Sequence, residues 1–230
     1  MARSHLAVAA RWPAGIALTS WRYMWRTTPL RRRELDGSPD ADACPPLPEG
    51  AGEVQAPGHG SGPLFHRRYA IRIAEARLPA REVMAWLQRD PDAAAPSEFA
   101  TFRKTAGENG TMRVGDEYVV RMAGPWDGPV RVVALSETSM RLATLPGHLE
   151  AGQIEFTAAD CDDGELEFHI ESWARSGDRL SNLLYTHVRM AKEIQLHMWT
   201  SFLERVAQLS GGRRSGPISI ETRRVSDAPA

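Results

Sequence analysis

Residues 165–184 read ELEFHIESWARSGDRLSNLL, and the fold turns on this stretch. Its first half alternates. Leu166, Phe168 and Ile170 fall on one face, and Glu167, His169 and Glu171 on the other. A period of two with one apolar and one polar face predicts a strand of an antiparallel sheet wetted on one side. After Gly177 the period changes. Leu180, Leu184, Val188, Ala191, Ile194, Met198, Phe202 and Val206 recur every three or four positions, which predicts a helix with one apolar stripe. Asp178 stands at its N-cap position, and Gly211 and Gly212 end it. About 30 residues at ~1.5 Å each give a rod of ~45 Å. The apolar face of the sheet is the surface large enough to cover it.

Working back from this stretch, further strands are expected at 66–73 (HRRYAIRI), Asp116 to Ala123, Val130 to Leu135, Ser139 to Thr144, and around Ile154 and Phe156. Pro79 opens a helix through about Arg89 that places Val83, Met84 and Leu87 on one face. Ser97 is read as the cap of a second short helix through about Phe102.

Charge divides the chain. Residues 1–35 carry seven Arg against Glu34, interleaved with Trp12, Trp21, Tyr23 and Trp25. This basic aromatic segment is expected to dock on the domain, to touch an anionic membrane surface peripherally, or to stay a disordered arm. Residues 36–62 hold five acids, no Lys or Arg, and eleven Gly or Pro, which reads as an acidic linker. Residues 63–210 form the domain, and 211–230 are expected to be a flexible tail. From 64 to 210 there are 17 basic and 21 acidic side chains, a balance that argues against a nucleic-acid partner. Only Lys104 and Lys192 are lysine among 28 basic residues, so an isolated Arg is weak evidence for arginine chemistry. Two cysteines, Cys44 and Cys161, make no disulfide framework. No run of apolar residues reaches a membrane span, and the N-terminus does not read as a secretory signal. A cytoplasmic location is the expectation.

The order of strand, short helices, antiparallel strands and long C-terminal helix resembles the helix-grip fold. That is the superfamily (START/SRPBCC) of START lipid-transfer domains, birch-pollen allergen-like proteins and polyketide cyclases. Residues 115–210 also resemble an uncharacterised domain-of-unknown-function family in that superfamily. The likeness rests on GPVRVVALSETSMRLATLPGHLEAGQIEF and ELEFHIESWARSGDRLSNLL, and above all on Thr144-Leu145-Pro146-Gly147-His148 with Glu150 and Gly152. The resemblance implies an α+β fold in which an antiparallel six- to seven-stranded sheet wraps a long C-terminal helix. It implies no established reaction.

Three places carry chemistry. In the LPGHLEAG loop, His148 and Glu150 could exchange protons as acid and base, or merely satisfy loop backbone. Where the last strand feeds the helix, Trp173 and Arg175 could meet a ligand carboxylate or phosphate, or Arg175 could pair with Glu171 or Asp178. On the helix, His187 and Gln195 interrupt the apolar stripe and need partners if buried. No zinc spacing, nucleophile elbow or phosphate loop occurs, so neither metal nor cofactor is expected. The leading expectation is a small hydrophobic ligand, lipid-like or polycyclic, held in a cavity between sheet and helix. The alternatives are a cyclase- or hydratase-like enzyme using His148 and Glu150, and a structural or partner-binding protein. An apolar void of several hundred Å³ with inward polar groups favours the first two, and a filled core favours the third.

Overall fold

The computed structural model describes residues 29–95, 100–122, 127–177 and 185–225, with the backbone alone for Ala100, Met122 and 185–194. Ten strands form one sheet: β1 (Leu30–Asp36), β2 (Gly60–Ala74), β3 (Ala100–Ala106), β4 (Glu117–Met122), β5 (Asp127–Leu135), β6 (Ser139–Thr144), β7 (Glu150–Asp160), β8 (Leu166–Gly177), β9 (Arg213–Arg214) and β10 (Ile218–Val225). The helices are α1 (Ala80–Arg89) and α2 (Tyr185–Leu209). Strand order is β1-β10-β2-β8-β7-β6-β5-β4-β3, with β9 beside β10 on the same edge of β2.

This corrects the expected fold. The sheet is neither six- to seven-stranded nor wholly antiparallel, because β1 runs parallel to β10. The extra strands come from the segments read as a charged arm and a fraying tail. In β10, Ile218 and Ile220 alternate inward and are buried, and its backbone bonds to β2 along Leu64 to Ala70. Leu30 to Asp36 then pairs residue for residue with β10. Arginine on an edge strand costs little, because its stem lies on the sheet while its head stays wet. The short helix expected through Phe102 is also corrected: Ala100–Ala106 is strand β3, hydrogen-bonded to β4. The head through residue 28, with its three Trp and Tyr23, lies outside the described residues, as does the N-cap expected at Asp178.

The core lies on the inner face. Tyr69, Ile71 and Ile73 of β2 face the same side as Leu166, Phe168 and Ile170 of β8, their register partners. All six are buried, and Phe156, Leu142, Val132 and Val120 continue the layer. The C-terminal half of α2 closes over it. Phe202 packs between Phe156 and Phe168, with ring centroids 5.5 and 6.2 Å away, and Trp199 meets Phe156 edge-on at 5.6 Å. Helix α1 buries Ala80, Val83, Met84 and Leu87 beside it. Its first N–H, at Ala80, donates to Asp160 Oδ1 at 2.9 Å.

Residues 37–59 run across the outer face as a strap of turns and extended chain. They bury Val54 against Val133, Ala143 and Leu145. Side chains of the sheet hold the strap's carbonyls. Arg131 donates to Ala51 and Glu53, and Gln153 donates to Pro45. The Gly- and Pro-rich composition does exclude helix and sheet over most of this stretch, but the bonds that dock it come from residues far away in sequence. No helix among the described residues is long and apolar enough to cross a membrane.

Candidate functional site

The LPGHLEAG loop sits at the end of β6 and turns into β7. Gln55 of the strap pins it. Its Nε2 donates to the carbonyls of His148 at 3.0 Å and Glu150 at 3.1 Å, and its Oε1 accepts from the Gly147 N–H at 3.3 Å. Thr144 adds a second clamp, donating its hydroxyl to the Gln55 carbonyl at 2.9 Å and accepting from the Gly152 N–H at 3.0 Å. Gly152 is required here. A Cβ at that position would lie 1.9 Å from the Trp173 carbonyl oxygen.

His148 is part of the same clasp. Its Nδ1 accepts the Glu150 N–H at 2.9 Å, so the neutral ring carries its proton on Nε2. The Glu150 carbonyl is also 2.9 Å from Nδ1 and would accept from it in a protonated ring. The Nε2 edge lies against Gly128, where an added Cβ would approach within 2.9 Å. Burial pushes the His148 pKa below the ordinary imidazole value, outweighing the nearby Glu150 charge and backbone bond that favour the cation. His148 thus bonds the backbone of Glu150 and not its carboxylate.

That carboxylate turns to the inner face. Glu150 Oε2 accepts from Gln195 Nε2 of α2 at 3.2 Å. Glu150 Oε1 lies 3.5 Å from Arg67 Nη1 of β2. Arg67 is only 7% exposed, and its guanidinium rests over the Phe65 ring at 4.8 Å. Its Nη1 is buried and makes no hydrogen bond among the described residues. Ser172, the cross-strand partner of Arg67 on β8, is also buried, and its hydroxyl has no hydrogen-bond partner among the described residues. Such orphans are costly, about 1–3 kcal/mol for a neutral group and more for a charged one.

The structure therefore gathers His148, Glu150 and Gln195 at one end of the sheet. Trp173 and Arg175 belong elsewhere. They share the opposite parity of β8 and face outward, where Trp173 packs with Leu64 and Val225, and Arg175 donates to the Gly62 carbonyl at 2.7 Å. The side chain of His187 lies outside the described residues. Arg67 and Ser172 were not singled out in the sequence, although a signal existed. Arg67 has the parity of Tyr69, Ile71 and Ile73, and Ser172 that of Leu166, Phe168 and Ile170. A polar residue on an apolar parity is a buried polar group in waiting.

A cavity of about 120 Å³ lies between α1 and the end of α2, lined by Leu78, Val83, Trp86, Leu87, Val206 and Leu209 among others. None of the loop residues reaches it. Among the described residues no group of three or more His, Cys, Asp or Glu converges as metal ligands.

The chain belongs to the family described as Domain of unknown function (DUF1990), whose model matches residues 82–206, more than half of the 230. The match contains the loop, β7, β8 and most of α2, but not Arg67 or the strap. No curated protein matches the chain. Among solved structures, a protein from Nitrosospira multiformis shares 16% identity over 62% of this chain and 94% of its own, with a TM-score of 0.44. A conserved protein from Geobacillus kaustophilus shares 13% over 66% of this chain and 99% of its own, with a TM-score of 0.45. A hypothetical protein from Helicobacter pylori shares 11% over 62% of this chain and 87% of its own, with a TM-score of 0.43.

Proposed function

We propose that the domain binds a small, mostly hydrophobic molecule between the inner face of the sheet and α2, in the cytoplasm, at the end marked by Arg67, Glu150, Ser172 and Gln195. The observation that carries this is the buried Arg67 guanidinium, whose Nη1 stands 3.5 Å from Glu150 but makes no hydrogen bond among the described residues, beside a buried Ser172 hydroxyl that also makes none. Ligand sites are apolar with a few fixed polar groups, and a native core rarely leaves donors idle without a use for them. Acid–base catalysis by His148 and Glu150 is the weaker reading, since the imidazole is spent on holding the loop.

A second reading has an observation in its favour. The inner face under the C-terminal half of α2 is filled by Phe156, Phe168, Trp199 and Phe202, and the 120 Å³ cavity is far below several hundred Å³. That suits a partner-binding or structural protein with no ligand. Native mass spectrometry of the full chain purified from its own host separates the two. A noncovalent mass released on denaturation is the expected result. A bare protein that also fails to bind a neutral apolar dye would leave the filled-core reading.

A further inference from the structure

We infer that the Arg67–Ser172 pair takes an uncharged oxygen acceptor, a carbonyl of an otherwise apolar ligand, rather than a carboxylate; this rests on the ligand-binding reading above. Arg67 and Ser172 are directly opposed across β2 and β8, on the inner face. Opposed residues of an antiparallel pair hold their Cβ atoms about 5 Å apart, so one ligand atom can meet both side chains. Both offer a hydrogen, both are buried, and neither makes a hydrogen bond among the described residues. The next positions of the same face are apolar: Phe65 and Tyr69 on β2, Ile170 on β8, and Ile154, opposite Ser172, on β7.

Charge decides what kind of acceptor fits. Glu150 lies 3.5 Å from Arg67 Nη1, and its other oxygen is held by neutral Gln195. One cation and one anion make the site neutral before anything binds. A ligand carboxylate would bring a second anion next to Glu150 with no second cation among the described residues contacting it, and an unpaired buried charge is strongly disfavoured. A carbonyl accepts from the guanidinium and the hydroxyl and adds no charge. Serine can also rotate its hydroxyl to suit the acceptor, whereas the guanidinium is fixed by the Phe65 ring beneath it.

The test uses the full chain loaded with the neutral dye N-phenyl-1-naphthylamine and displaced by three twelve-carbon probes: a methyl ketone, the matching carboxylate and the matching alkane. The ketone is expected to displace dye at about tenfold lower concentration than the alkane, and at lower concentration than the carboxylate, as one charge-assisted hydrogen bond implies. Ser172→Ala, a small change that keeps the core filled, should reduce the ketone's advantage over the alkane. Arg67→Met should do the same if its melting temperature shows that it folds. A carboxylate that displaces best, or three probes that displace equally, overturns the inference while the apolar site stands. Dye that does not bind at all overturns the site itself and the inference with it.

Discussion

The imidazole of His66 lies flat on the indole of Trp173, with ring centroids 5.0 Å apart and planes 13° from parallel. The stack sits on the outer face of the sheet, and carboxylates flank it. His66 Nδ1 meets Asp42 Oδ1 of the strap at 2.8 Å, and Nε2 is 3.5 Å from Glu171 Oε1, an ion-pair distance without hydrogen-bond geometry. Burial works against a charged ring, yet Glu171 and Asp42 outweigh it and hold the His66 pKa above its usual value. Burial likewise disfavours the Asp42 anion, but the bonds from His66 and the Ser38 N–H, with the Arg223 charge, hold its pKa low.

The sign of the pH dependence follows. A raised histidine stabilises fully below its unfolded value of 6.5, and that contribution is lost as pH rises through the folded value. His148 and His169 have lowered values and act in the opposite sense, so the total profile mixes the two. The difference between wild type and His66→Gln isolates the first. Its urea midpoint gap should be widest near about pH 6 and shrink toward about pH 8. A gap independent of pH would mean that the ring is neutral throughout. At acid pH a separate loss is expected as Asp42 protonates, absent in Asp42→Asn.

Gln55→Ala removes three hydrogen bonds from the loop at once. The expected cost is about 1–3 kcal/mol in urea unfolding. Amides from Gly147 to Glu150 should exchange faster than in wild type while those of β8 do not change. Equal exchange in both would show that Thr144 and Gly152 hold the loop without Gln55.

Gly152→Ala tests the close approach of β7 to β8. The new methyl would sit 1.9 Å from a carbonyl oxygen and 2.8 Å from the Ala174 Cα, both backbone. Strands held by their neighbours do not yield cheaply, so the cost is put at about 3 kcal/mol or more. A variant that unfolds at the wild-type urea concentration would contradict this register.

Phe202→Ala tests how firmly α2 is held. Phe202 is 1% exposed and touches Phe156, Phe168 and Trp199. Truncation should cost about 3–5 kcal/mol. A loss under about 1 kcal/mol would mean that the helix repacks freely on the sheet.

The sequence was most legible where a pattern was local. The alternation around Phe168 and the apolar face of α1 could be read from neighbours alone, and Leu166, Phe168, Ile170 and Met198 are buried as expected. It was least legible where composition stood in for pairing. LRRRELD reads as charge and ISIETRRV as tail, because a strand added to a sheet edge is stabilised by a partner that no window of sequence contains. The site divided in the same way. His148 and Glu150 stood out through their loop, whereas Arg67 was discounted among many arginines, and its parity on the apolar face was the signal passed over.

The place of β10 between β1 and β2 has a consequence for the protein as it is made. β1 is synthesised well before the strand it pairs with, Ile218–Val225. Until that strand is made β1 lacks its mate, and a strand without a mate is the kind of edge that joins neighbouring nascent chains. Arg31, Arg32 and Arg33 make that edge self-repelling. The same charge blunts the outer edge of β1 in the finished sheet, where β1 stays at the end of the strand order.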